Sequence, residues 1–373
     1  MEDVIRVQEN FYILATSSLA AERPLVLKQD GTFCLSDAQG DFSRLGMGEQ
    51  GLYHEDTRYL SRMELRLGDA RPLYLSSTVR QGNDLMLADL TNPDIVLEDG
   101  VVLPRGTVHV HRSKFLWQGT CHERLRLSNH GMRAVRVTLG LFYEADYVDI
   151  FEVRGTTRAR RGTLLEPRLE ASAVVLGYSG LDGVVRRTRI DFDPTPRELT
   201  AGHARFELRL DPQVTVAVDV AITCEGAEPR SAPSFEEART ACEGSLGDRS
   251  HGRCRITTSN ATFNAWLERS SADLRMMMTD TAHGPYPYAG VPWFSTVFGR
   301  DGIITALELL WMDPQVARGV LGNLAALQAV DTSEERDCEP GKILHELRKG
   351  EMAALGEVPF GRYYGSVDAT PLF

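Results

Sequence analysis

Over roughly the first 225 residues, apolar and polar side chains alternate in short runs. A period of two puts successive side chains on opposite faces of an extended strand. Phe33 to Leu35 follows the turn dipeptide Asp30-Gly31, a hairpin signal. Glu123-Arg124-Leu125-Arg126-Leu127 alternates, Asn129-His130-Gly131 reads as a turn, and residues 135–143 resume the period of two. His203 to Leu210 alternates again, Asp211-Pro212 interrupts, and Val214 to Ile222 adds a β-branched run. Almost no helical crossover precedes residue 230. Short strands between turn signals therefore predict an antiparallel β-sandwich and not a parallel α/β sheet.

The period changes near residue 230. Residues 225–234 have the composition of a linker, and a short helix is expected from Phe235 to about Gly244 with Ser234 as N-cap. Beyond Gly252 the spacing becomes helical. Ser259 or Asn260 is placed to cap a helix carrying Phe263, Trp266, Leu267, Leu274 and Met278 on one face. A second helix is expected over 301–312 with Ile304, Leu307, Leu310 and Trp311 inward, and Pro314 opens a third that runs to about Ala329. This divides the chain into a sandwich at 1–228, a linker with a short helix at 229–257 and a helical part at 258–373. The last residues, Pro371-Leu372-Phe373, are apolar and uncapped. They suggest the front part of a longer protein, the alternative being a short protein whose end frays.

Composition narrows the function classes. With 42% hydrophobic and 25% charged residues the chain is an ordinary globular sequence. The net charge of −11 argues against a nucleic-acid or anionic-membrane surface. No window approaches the ~18 apolar residues of a membrane span, and Met1-Glu2-Asp3 is acidic where a signal peptide is basic. A cytoplasmic location is therefore expected. The six cysteines show no CxxC and no zinc spacing, so they read as free thiols.

Two sets of motifs carry a resemblance. The first is Gly51-Leu52-Tyr53-His54-Glu55-Asp56-Thr57-Arg58-Tyr59-Leu60-Ser61, followed by Ala145-Asp146-Tyr147-Val148-Asp149-Ile150-Phe151-Glu152-Val153-Arg154-Gly155. The second is Pro292-Trp293-Phe294-Ser295 with Phe298-Gly299-Arg300-Asp301, then Pro340-Gly341-Lys342-Ile343 with His345-Glu346, then Tyr363-Tyr364-Gly365-Ser366-Val367-Asp368-Ala369-Thr370. Together they resemble the bacterial amylo-α-1,6-glucosidase (glycogen-debranching) proteins, and the likeness covers nearly the whole chain. The resemblance implies an antiparallel β-sandwich followed by the first part of an (α/α) six-fold toroid.

Glycoside hydrolysis needs two carboxyl groups across the scissile bond, one of them protonated at neutral pH. Asp368 is the candidate general acid. Its neighbours Tyr363, Tyr364 and Val367 are apolar bulk expected to raise its pKa by desolvation, and the Ser-Val-Asp-Ala match implies the same role. The alternative is that Asp368 caps a helix starting at Ala369. Arg300 and Asp301 are placed to grip sugar hydroxyls, with Trp293 and Phe294 stacking on the sugar ring; the alternative is a capping aspartate with a salt-bridged arginine. The resemblance implies sugar contacts for His345 and Glu346, and Tyr364 joins this substrate-binding set. Lys349 stands where HExxH needs its second histidine, which excludes that metalloprotease motif. Asp146, Asp149 and Glu152 recur every three residues without an EF-hand pattern, which favours a structural or interdomain role. Glu351 and Glu357 precede Asp368, the wrong side for the base the resemblance implies, so the base is expected beyond Phe373.

The expected function is inverting hydrolysis of α-1,6-glucosidic branch stubs in a glycogen-like α-glucan. It needs no metal or organic cofactor, and its partner is the glucan or an oligosaccharide. The 373-residue chain alone is expected to be inactive. The rival readings are another toroid hydrolase, trehalase-like or mannosylglycerate-hydrolase-like, and a noncatalytic carbohydrate-binding protein.

Overall fold

The computed structural model of the chain describes the backbone of residues 4–7 and 10–13, then residues 24–43, 48–96, 100, 102–226, 230–248 (246–248 by backbone alone), 254 and 256–373. Met1 to Asp3 and residues 227–229 and 249–253, which include parts of the expected linker, lie outside the described residues.

Strand pairing starts from tight turns. Val108–Trp117 and Thr120–Asn129 pair antiparallel from Trp117 opposite Thr120 to Val108 opposite Asn129. Gln118 and Gly119 between them take φ of 47° and 78°, the doubly positive geometry that matches strand twist in a two-residue hairpin. This hairpin lies inside an eight-stranded sheet that runs from Thr163–Leu169 at one edge to Leu73–Val79 at the other. Two four-stranded sheets complete the sandwich, one containing Val135–Glu144 beside Arg62–Leu67, the other containing Gly51–His54 beside Thr57–Leu60. The pairings are antiparallel. Along His203–Leu210 the side chains of Ala204, Phe206, Leu208 and Leu210 are buried in turn, as the period of two requires. They join Leu65, Leu125, Leu139 and Val218 in one core.

Helix α1 is a single turn, Ile150–Val153, directly after the sheet strand that ends at Glu144. Helix α2, Phe235–Asp248, runs past Gly244, where the sequence suggested its end. Ser234 and Glu237 exchange backbone-to-side-chain hydrogen bonds of 3.0 and 3.3 Å, a capping box. Ala238 and Cys242 of α2 pack on Phe115 of the large sheet.

The C-terminal part holds α3 (Ala261–Met277), α4 (Gly299–Leu309), α5 (Pro314–Ala326) and the one-turn helices α6 (Glu351–Ala354) and α7 (Ala369–Leu372). Asn260 caps α3 through Phe263 N at 3.1 Å, and Asp313 caps α5 through Gln315 N at 3.2 Å. Among the described residues these helices do not form a six-fold ring. The inward face of α4 also differs from expectation: Ile304, Leu307, Leu310 and Trp311 are exposed, while Gly302, Ile303, Ala306 and Leu309 are buried. The reason is a close approach. Tyr286, from the hairpin Met278–Thr281/Gly284–Pro287, donates to Phe298 O at 2.8 Å, and a Cβ on Gly302 would lie 2.4 Å from its hydroxyl. The glycine side of α4 is thereby drawn inward against Tyr286 and α5. Phe263 and Trp266 of α3, expected on a core-facing stripe, are likewise exposed. Among the described residues no helix is long and apolar enough to cross a membrane.

Candidate functional site at the domain junction

The sandwich motifs turn toward the C-terminal part. Glu55 and Asp56 form the turn of the hairpin Gly51–His54/Thr57–Leu60 with φ of 44° and 67°. That turn aims the Asp56 carboxylate out of the sandwich, where it accepts Arg348 Nη1 and the backbone N–H of Lys349, each at 2.9 Å. Arg348 also donates to Glu346 Oε1 at 2.6 Å and to Trp293 O at 2.7 Å. Asp149 caps α1 through Phe151 N at 3.1 Å and takes Met352 N at 3.1 Å on its other oxygen. Glu152 closes a capping box on Asp149 N at 3.0 Å. Gly350 lies so close that a Cβ there would sit 2.2 Å from Asp149 Oδ2. Asp146 holds Arg58 through both oxygens. Asp146, Asp149 and Glu152 are therefore structural: Asp149 grips the C-terminal part directly, and the other two brace it.

Glu351 is buried, accepting Tyr178 OH at 2.8 Å and Leu181 N at 2.7 Å, and it pairs with Arg158 at 3.1 Å. Glu357 takes the rest of the Arg158 guanidinium at 2.6 Å and 3.0 Å. Burial raises the pKa of Asp149 to about 6, with Asp56 and Glu152 adding to the rise against the two backbone bonds.

This network corrects several expected sugar contacts. Glu346 is buried with its carboxylate on Arg348, so it neutralises a guanidinium and does not face solvent. Trp293 packs against the Phe33, Leu35, Tyr53 and Ile150 cluster. Tyr364 is in the core of the C-terminal part, only 3% exposed, with its hydroxyl on Leu327 O at 2.8 Å. Its neighbour Tyr363 turns the other way, because Gly365 leaves room for the Tyr363 hydroxyl where a Cβ would be 2.2 Å from it.

The remaining candidates do gather. Arg300 Nη1 is 3.4 Å from Asp368 Oδ2, and Arg300 Nη2 is 3.7 Å from Asp301 Oδ2. The short strand Val297–Phe298 pairs with Glu346–Leu347, which sets Arg300 and Asp301 in the first turn of α4 beside His345. Phe298, the residue before α4, makes no side-chain cap, and Asp301 lies inside the helix, so Asp301 is not its capping aspartate. Asp368 precedes α7, yet its carboxylate makes no capping bond. Ser366 Oγ caps instead, accepting Ala369 N at 3.2 Å. Both Asp368 oxygens thus point elsewhere, to the Ser366 hydroxyl and Arg300.

The expected desolvation of Asp368 is not found. Val367 is 94% exposed, Tyr364 is turned into the core, and the Asp368 carboxyl is open to solvent. The Ser366 hydroxyl, and after it Arg300, hold its pKa below the ordinary aspartate value. It is ionised at neutral pH in this state.

A row of rings runs from this cluster to the sandwich. Tyr363, His345, Phe298 and Phe294 meet edge to face with centroids 5.8 to 5.9 Å apart. Phe360 stands edge-on to Tyr363 and stacks on Phe151 of α1. His345 Nδ1 is buried and meets no hydrogen-bond partner among the described residues. Phe360 escaped the sequence reading, and Ser366 figured there only as part of a motif; the clustering of aromatics around the glycines of 361–365 was the signal for Phe360. Among the described residues no group of three His, Cys, Asp or Glu side chains is placed to hold a metal ion.

A family model described as the N-terminal domain of (some) glycogen debranching enzymes matches residues 27–221, more than half of the chain. Among curated proteins no match was found. Solved structures similar to this chain include a putative kojibiose phosphorylase from the human microbiome, at 9% identity and a TM-score of 0.43 over 81% of this chain and 40% of that one. A bacterial glucoamylase complexed with acarbose gives 9% identity and a TM-score of 0.48 over 81% of this chain and 49% of that one. A putative aldose 1-epimerase from Escherichia coli K12 gives 9% identity and a TM-score of 0.31 over 55% of this chain and 99% of that one. The chain spans less than half the length of the phosphorylase and the glucoamylase.

Proposed function

Because the chain belongs to the family of N-terminal domains of (some) glycogen debranching enzymes, we propose that the protein is a glycoside hydrolase that removes α-1,6-linked branch stubs from glycogen or a related α-glucan in the cytoplasm. The division into a sandwich at 1–228, a linker at 229–257 and the start of a toroid at 258–373 is part of the proposal. The observation that carries the reading is Asp368: a carboxylate released from capping by Ser366 and facing Arg300, which also reaches Asp301.

Arg300, Asp301 and His345 bind hydroxyls of the terminal glucose, and Phe294 offers an apolar face to sugar C–H groups. The open Asp368 carboxyl is ionised, so its acid role depends on the substrate. A glucose unit seated over it strips away water and draws Arg300 onto sugar hydroxyls. Both changes raise the pKa toward the protonated form. The Asp368 proton then passes to the glycosidic oxygen as the C1–O bond breaks. A base carboxylate takes a proton from water, and the hydroxide adds to C1 from the opposite face. Inverting geometry sets the two carboxyls roughly 6.5–9.5 Å apart. Glu351 and Glu357 are committed to Arg158, so neither serves as the base.

Asp368→Asn in the full-length protein tests this. Glucose release from a branched limit dextrin should fall by ~10³-fold or more with glucan binding retained, the scale of removing a general acid. Unchanged release refutes the role of Asp368. The ionised state of Asp368 favours one second reading, a noncatalytic glucan-binding protein; it predicts binding without release even from the unsubstituted full-length protein.

A further inference from the structure

We propose that Arg154, on the sandwich side of the junction, is a substrate-binding residue: with Phe294 it forms an outer subsite for a glucose unit beyond the one at Asp368. The inference rests on the reading above and extends it, since it makes the sandwich part of the glucan site and the substrate a chain of several units.

Arg154 ends α1, its backbone N–H bonded to Glu152 O and Ile150 O. The Asp149 cap and its bond to Met352 N fix that helix against the C-terminal part, so the backbone of Arg154 is held at the junction. Its guanidinium lies 5.8 Å from the centroid of the Phe294 ring. Phe294 is pinned by reciprocal backbone bonds with Gly290, 2.9 and 3.2 Å, yet stays 43% exposed. The ring is thus fixed in position but not consumed by packing.

The other arginines at this junction are spent. Arg348 and Arg158 are buried in carboxylates, and Arg58 is bound by Asp146. Arg154 is exposed and makes no ion pair among the described residues. A guanidinium offers five N–H donors in a planar fork, which suit adjacent sugar hydroxyls. The neighbouring ring suits the C–H face of the same pyranose. Phe294 meets Phe298 edge to face, and Phe298 directly precedes the first turn of α4 that carries Arg300 and Asp301, so a chain whose end is held there extends toward Arg154. The plain alternative is a surface cation–π pair that adds only packing.

Calorimetric titration of the 373-residue chain with maltotriose, maltoheptaose and a branched limit dextrin separates the two. Arg154→Met keeps the aliphatic stem over Phe294 and removes the donors. It should weaken maltoheptaose and limit-dextrin binding about ten-fold, the worth of one charge-assisted hydrogen bond, with a smaller loss for maltotriose. Phe294→Ala should give a similar loss, and the double variant little more, because the two side chains hold one sugar. Arg154→Lys, which keeps the charge, should recover part of the affinity; it serves also if Arg154→Met lowers the melting temperature. Equal affinities for the unsubstituted chain and both Arg154 variants overturn this inference alone. An unsubstituted chain that binds none of the three glucans overturns it together with the proposed function.

Discussion

Replacing Arg348 by alanine should uncouple the two parts of the protein. Its side chain is 2% exposed and holds Asp56 and Glu346, themselves 5% and 8% exposed, at 2.9 and 2.6 Å. It also donates to Trp293 O at 2.7 Å. Charge-assisted hydrogen bonds contribute about 1.5–3 kcal/mol each, but three on one side chain do not add. The larger effect is what remains: two buried carboxylates with no cation between them. Breaking a buried pair in this way costs about 3–5 kcal/mol. Asp56 keeps the Lys349 N–H, which favours the lower half of that range. Urea denaturation followed by circular dichroism gives the loss, and tryptophan emission reports the junction because Trp293 packs there. Arg348→Met with Asp56→Asn and Glu346→Gln, which removes the charges together, should recover most of the stability. A loss below about 1 kcal/mol for Arg348→Ala, or no recovery in the triple variant, would refute the reasoning.

Three further outcomes follow from the same geometry. Asp149 has a folded pKa raised from 3.8 to about 6 by burial. Its contribution is therefore complete below pH ~4 and is lost as pH rises through about 6, a decline of up to ~3 kcal/mol; Asp149→Asn should flatten that part of a stability-against-pH curve, and an unchanged slope would show the decline has another source. Gly350→Ala drives a methyl to 2.2 Å from Asp149 Oδ2, so it should lower stability by about 1–3 kcal/mol, read as a lower urea midpoint; a neutral result would mean the carboxylate swings aside freely. Ser366→Ala removes the largest influence holding Asp368 low, so the Asp368 carboxyl should titrate at higher pH in a carbon-13 NMR titration, and no upward movement would mean Arg300 alone sets its ionisation.

Much of the sandwich was legible where a strand shows water only one face. His203–Leu210 and Arg62–Leu67 write that face directly as alternation. The orientation of α4 was not legible. Ile303, Ile304, Ala306, Leu307, Leu309 and Leu310 are apolar around most of the helix, and only Tyr286, far off in sequence order from a helix viewpoint, selects the glycine side. Asp368, Arg300 and Asp301 were legible as a group through motif resemblance, and they do meet. The protonation of Asp368 was not, because an aromatic neighbour in sequence says nothing about which way its ring turns: Tyr364 points into the core. The destiny of Asp56 and Asp149 depends on contacts that span more than two hundred residues, which spacing along the chain does not encode.

The sandwich holds residues 349 and 352 by their peptide nitrogens, and Glu55 also takes the Lys349 ammonium. The two backbone bonds are blind to what those positions carry, while Lys349 keeps a second hold through Glu55 and Met352 fills buried space. Gly350, squeezed against Asp149, has no room for a side chain at all. The joint is thus set by the main chain and tightened by the side chains around it.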